Sequence, residues 1–141
     1  MINIRLVQET DAQQLFDLAC MFNATSHPDS REDVADYLRN TNDIVCVAED
    51  AGVLIGFCCG RLNAHLSFKQ PIVDITELFV KADHREKGIG KLLLSYMEAE
   101  FLKRGINRIR ILVEKSNETA RKFYVARGYA EFDMMMCRKD I

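Results

Sequence analysis

The chain has 141 residues, 48% hydrophobic and 28% charged, with seven glycines and two prolines. That is one domain's worth of sequence, able to bury roughly 70% of its extended surface without disulfides or a metal, and too apolar for intrinsic disorder. A net charge of -2 argues against a dedicated nucleic-acid binder. The longest apolar stretch, Val53–Cys59, falls far short of the roughly 20 residues of a membrane-spanning helix, and the opening Met1-Ile2-Asn3-Ile4-Arg5 lacks the pattern of a signal peptide. The five cysteines are odd in number and form no C-x-x-C pair. They read as reduced core residues of a cytoplasmic protein, with adjacent Cys58 and Cys59 pointing to opposite faces of a strand.

In chain order, Ile2–Val7 alternates as a strand. Thr10 and Gln13 suggest a capping box for a helix over Asp11–Asn23, with Leu15, Leu18, Ala19 and Phe22 as its buried stripe. Thr25–Ser30 is a loop, and Ser30 with Asp33 caps a second helix to about Arg39. Strands follow over Asp43–Glu49 and Val53–Leu62, joined by the turn Asp50-Ala51-Gly52. A loop spans Asn63–Pro71, a strong strand Ile72–Val80, and a charged connection Lys81–Lys87. A long helix then runs to Gly105, a natural C-terminal cap, and a strand covers Asn107–Val113. Ser116 or Asn117 caps a helix to about Arg127, and Tyr129–Arg138 is expected as a final strand. The order β-α-α-β-β-β-α-β-α-β describes a mixed α/β domain around one central sheet.

The segment Arg85-Glu86-Lys87-Gly88-Ile89-Gly90 follows a strand and opens a helix. A helix N-terminus offers unpaired N–H groups and partial positive charge, and glycines let the backbone approach a bulky anion. Lys81, Arg85, Lys87 and Lys91 face Asp83 and Glu86, a local charge of +2. The P-loop pattern is absent, and Leu93 stands where the dinucleotide fingerprint needs its third glycine. A charged loop with two turn glycines would look the same. Further on, Asn117 and Tyr124 are seven residues apart, about 20° short of two helical turns and roughly 10.5 Å, so one helix face should carry both, with the small Ala120 between them.

With both segments in this order, the chain resembles the GCN5-related N-acetyltransferase (GNAT) family over its whole length. The glycine loop matches that family's phosphate loop, and the Asn117…Ala120…Phe123-Tyr124…Gly128-Tyr129 run matches its later motif. The resemblance implies a single N-acetyltransferase domain over residues 1–141, its sheet splayed between the fourth and fifth strands to admit acetyl-CoA. It implies that Leu78, Phe79 and Val80 lend backbone groups to the pantetheine arm and that Arg85, Glu86, Lys87, Gly88, Ile89, Gly90 and Lys91 cradle the pyrophosphate. Asn117 would bond the pantetheine, and Tyr124 would sit near the thioester sulfur.

Acetyl transfer to an amine needs a neutral nucleophile, although an aliphatic ammonium has a pKa of about 10. It also needs donors for the thioester oxygen and a proton for a thiolate whose thiol pKa is near 8.5. Tyr124 suits the proton donor. Glu77 is the candidate base, directly or through water, with Asp74 as rival. On a regular strand the two face opposite ways, so only one could reach a substrate without a bulge. Glu114 is weaker, since Leu112 stands where some relatives carry a glutamate.

His27, His65 and His84 lack metal-ligand spacing, and no metal is expected. His27 and His65 lie in loops that border the acceptor site in such folds. Phe123 suits core packing, and Met134–Met136 suit core or dimer packing. Asp29, Glu32, Asp33 and Asp36 suit a solvated face, or the attraction of a cationic acceptor such as a polyamine, an aminoglycoside or a basic peptide. The expected activity is direct acetyl-CoA-dependent N-acetylation of a primary amine on a small molecule or peptide, by a protein with no nucleic-acid or membrane partner; a homodimer is compatible. The alternative is a non-catalytic acyl-CoA-binding sensor or interaction module.

Overall fold

The computed structural model describes residues 1–141 as two units, residues 1–111 and 112–141. In the first unit, β1 (Ile2–Leu6), β2 (Ile44–Asp50), β3 (Val53–Asn63), β4 (Ile72–Val80) and β5 (Ile109–Ile111) form one sheet in the order β1-β2-β3-β4-β5. The first four are antiparallel neighbours, and β5 runs parallel to β4. A parallel neighbour requires a crossover, which α3 (Ile89–Lys103) supplies.

Period-two alternation sorts the sheet's side chains between two helical layers. Val45, Val47, Leu54, Phe57 and Cys59 pack with Leu15 and Leu18 of α1 (Ala12–Phe22) and with Val34 and Ala35 of α2 (Arg31–Asn40). On the opposite face, the Cys46 thiol reaches the Leu93 carbonyl of α3 at 3.7 Å. The adjacent thiols of Cys58 and Cys59 are both buried, as strand alternation requires. Ser30 caps α2 as expected, its hydroxyl accepting the Asp33 N–H at 3.2 Å.

Three expectations need correction. The capping interaction before α1 sits earlier than Thr10: the Asp11 carboxylate accepts the Gln8 N–H at 2.7 Å, and a 3-10 turn over Glu9–Asp11 leads into the helix. Buried Asp11 is drawn there by Arg5, whose guanidinium donates to both of its oxygens at 2.8 and 2.9 Å and to Glu49 at 2.6 Å. The α1 stripe is also shorter than expected, because Ala19 and Phe22 line a cavity instead of closing the core. Finally, Tyr129–Arg138 forms no strand. A strand is defined by its ladder, and the second unit, taken by itself, contains α4 (Glu118–Val125) and no strand to pair with. No helix is long and apolar enough to cross a membrane.

The Arg5 guanidinium holds the Asp11 carboxyl below its ordinary 3.8, against the upward push of burial. Because the folded value is depressed, this pair contributes its full stability above about pH 4 and loses it as pH falls through the folded value. Asp11→Asn should lower stability at neutral pH by about 2 kcal/mol and flatten the acid limb of a urea-unfolding series between pH 7 and 3. Parallel limbs in the two proteins would contradict this assignment.

Candidate active site

β4 is irregular where it matters. Cys59 pairs with Glu77, but the next β3 residue, Gly60, pairs with Ile75, so Thr76 is an extra residue on β4. This bulge breaks the alternation. It turns Asp74 and Glu77 to the same face, the one covered by α1 and α2, although a regular strand would oppose them. Their surroundings then separate them. The Asp74 carboxylate receives Arg110 of β5 at 2.8 and 3.1 Å, and also accepts from the Asn63 amide. Glu77 forms no ion pair and lines a cavity of about 340 Å³ under α1 and α2.

The cavity's wall is apolar, with Leu15, Phe22, Val34, Leu38 and Phe57 contributing. Phe22 meets Phe57 and Phe79 edge-on, with centroids 5.9 and 5.7 Å apart. Burial pushes the Cys59 thiol well up, and the Glu77 charge adds to it, so Cys59 is a neutral part of the floor. Sequence reasoning missed the polar group at the rim. The Tyr37 hydroxyl donates to Asp43 at 2.7 Å, and Arg61 donates to the same carboxylate at 3.0 Å. Burial raises the Tyr37 phenol, as does the Asp43 hydrogen bond, so it remains a neutral donor. Burial works to raise the Asp43 carboxyl, but Arg61 and Tyr37 together hold it below its ordinary range. An opposite-charge pair flanking the β2–β3 register was the available signal. His27 lines the cavity; His65 packs on Phe68 in the loop outside it.

Beyond Glu77, Leu78, Phe79 and Val80 lead directly to the glycine loop. The β4–β5 ladder covers Val73–Ile75 only, so within the first unit Thr76–Val80 has a strand partner on the β3 side alone. A Cβ on Gly56 would stand 2.6 Å from the Phe79 carbonyl oxygen, so glycine is needed for β3 to approach β4 here. A second bulge leaves Ile55 extra on β3, and its carbonyl accepts the Lys81 N–H at 2.9 Å. Arg85 folds back, its Nε donating to the Val80 carbonyl at 2.9 Å and its guanidinium carbon lying 5.7 Å from the Phe79 ring centroid.

Glu86 (φ 61°) and Gly88 (φ 78°) are both left-handed and turn the chain into α3. Glu86 bears the strain that a side chain meets in this region. A Cβ on Gly88 would meet nothing within 4 Å, so the space before the helix is open. No side chain caps α3, and its first turn holds no acid. Ile89 is buried as the anchor of that turn, while Lys87 and Lys91 are exposed and Gly90 half-buried. The donors and charge here fit a phosphate group.

In the second unit, Asn117 is the N-cap of α4, its Oδ1 accepting the Ala120 N–H at 3.1 Å. It therefore precedes the helix, and the two-turn spacing to Tyr124 does not apply from that position. The cap uses the side-chain oxygen and leaves the amide NH2 as the donor for a ligand. Tyr124 packs edge-on against Phe123 and Tyr129, with centroids 5.1 and 5.8 Å apart. Its carbonyl accepts the N–H groups of Arg127 and Tyr129, which fixes the turn after the helix. Phe123 is half-buried beneath the Arg127 guanidinium, 3.7 Å from its centroid. Glu114 lies in the turn before α4, where its carbonyl accepts the Asn117 N–H at 2.9 Å.

Residues 12–129 match the acetyltransferase (GNAT) family. The chain belongs to this family. Its relatives include an acetyltransferase of Yersinia enterocolitica, 24% identical over 144 residues that cover 98% of this GNAT chain and 94% of the relative. An acetyltransferase of Sodalis glossinidius is 27% identical over 108 residues, 77% of this chain and 72% of that one. Among solved structures, an aminoglycoside acetyltransferase from an uncultured soil metagenomic sample has a TM-score of 0.88 at 22% identity, covering 99% and 96% of the two chains. A ribosomal-protein-alanine N-acetyltransferase of Brucella melitensis biovar Abortus has a TM-score of 0.82 at 20% identity, with both chains covered in full. These likenesses establish the GNAT fold. Family membership makes the chain an acyltransferase, with acetyl-CoA as acetyl donor.

The Tyr37–Asp43–Arg61 group yields a structural test. Tyr37→Phe should cost about 1 kcal/mol, and Asp43→Ala, which strips both donors of their acceptor, about 2–3 kcal/mol. Chemical unfolding reads both, and equal costs would mean that Arg61 gains nothing from Asp43.

Proposed function

We propose that residues 1–141 act as one N-acetyltransferase domain that moves the acetyl group of acetyl-CoA directly to a primary amine of a small molecule or peptide. One observation carries this reading. β4 presents Glu77 to an apolar cavity and, at its other end, leads into an uncapped helix N-terminus behind a glycine loop. An acceptor site and a phosphate site are thus joined by a single strand.

Acetyl-CoA supplies the activated acyl group. The chain's own groups do the rest. Backbone N–H groups from Lys87 to Lys91, with Arg85 and the lysines, hold the pyrophosphate; Glu86 contributes its left-handed turn. Leu78, Phe79 and Val80 hold the pantetheine arm along the strand edge, and the Asn117 amide donates to it. Glu77 draws in the acceptor ammonium and takes its proton, directly or through water, so that a neutral amine attacks. The Tyr124 phenol protonates the departing thiolate. Asp74, committed to Arg110 and Asn63, is a structural carboxylate in this scheme.

Five free cysteines suit a reducing compartment, which supports a cytoplasmic location. A homodimer fits the same reading.

Acetyl-CoA at 100 times its dissociation constant should stabilise the protein by about 2.7 kcal/mol, read as an upward shift of the melting temperature. No shift in ligand-free protein would overturn the proposal. Tyr124→Phe should lower kcat at least about tenfold while the acetyl-CoA shift persists; unchanged turnover removes Tyr124 from the reaction. Glu77→Gln should lower kcat/KM at least about tenfold while the acetyl-CoA shift persists. An unaltered kcat/KM would exclude Glu77 as base.

A further inference from the structure

We propose, on the acetyl-transfer reading above, that the acceptor is a small monoamine with an aromatic or branched aliphatic body, and not a polycation. The cavity beside Glu77 measures about 340 Å³, near the lower end of the roughly 300–1,000 Å³ of small-molecule sites. That space suits one ring or a short branched chain better than several linked sugars.

Charge points the same way. Glu77 is the one carboxylate among the lining residues, so the cavity answers one ammonium. The other fully charged lining group is Arg61, a cation whose guanidinium is held by Asp43 at the rim. A second or third ammonium would therefore leave water for an apolar wall or for a rim whose charges are already paired, and buried charge without a partner is strongly unfavourable. The wall itself rewards an apolar body, with the exposed edge of Phe22 standing over Phe57.

The acidic residues of α2, which could have drawn in a polycation, do not serve this cavity. Glu32 pairs with Arg31 and Asp36 with Arg39, and the Asp33 carboxylate accepts the backbone N–H of Asp29, the residue ahead of the helix. None of the four acids lines the cavity.

The test compares phenethylamine, benzylamine and isoamylamine with spermidine and kanamycin under saturating acetyl-CoA, with acetylated product measured by mass spectrometry. The monoamines should lead in kcat/KM by at least about tenfold. Phe22→Ala, at a side chain 42% exposed, should raise KM for phenethylamine about tenfold with kcat little changed. Leu38→Ala, checked in parallel, should act in the same direction. A preference for spermidine or kanamycin overturns the inference and leaves acetyl transfer intact. Turnover of neither group by a protein that still shows the acetyl-CoA melting shift overturns it as well. Loss of that shift in the unmodified protein is the separate failure of the acetyl-transfer reading.

Discussion

The extra residue at Thr76 is the constraint on which the site depends. One additional residue in β4 shifts every side chain beyond it by one step of the pleat, so Glu77 and Phe79 face α1 and α2 together with Asp74. Without it, Glu77 would face the α3 side and the cavity would have no carboxylate. The bulge also follows directly on Ile75, the last β4 residue in the ladder with β5. Pairing in the parallel ladder and the aim of the acid thus change at the same place.

A second irregularity secures the exit from the strand. Ile55, extra on β3, directs its carbonyl to Lys81 and so fixes where the chain leaves the sheet. Gly56 then allows β3 to lie against the Phe79 carbonyl. The glycine loop starts from a backbone anchored on both counts, and its opening into α3 follows from two left-handed residues, Glu86 and Gly88, on either side of Lys87. Under the proposed function, a phosphate bound there would need little ordering of the protein, because the donors are already directed outward by the helix.

The cavity is shaped by elements outside the strand and the glycine loop. The fold supplies a strand, a helix N-terminus and a carboxylate. The apolar wall comes from α1 and α2, whose stripe stops closing the core at Ala19 and leaves Phe22 over an open space. Tyr37, Asp43 and Arg61 satisfy one another at the rim, so this polar group contributes rigidity and little net charge.

Much of this molecule is legible in its sequence. Alternation and apolar periodicity give β1 to β4 and all four helices nearly to the residue, with caps read correctly for α2 and α4, because local patterns govern amphipathic elements. The glycine loop and the Asn117–Tyr129 run carry the family, because backbone conformation and spacing are properties of the chain itself. What local pattern could not settle was decided by long-range contacts. Arg5, brought close by the sheet, holds the Asp11 carboxylate where it accepts the Gln8 N–H, so the capping interaction lies ahead of Thr10. Arg110 on β5 occupies Asp74 and so distinguishes it from Glu77, two carboxylates that look alike in sequence. The bulge that turns both to one face exists only as a mismatch between paired strands. Register is a relation between segments, and only the tertiary structure fixes it.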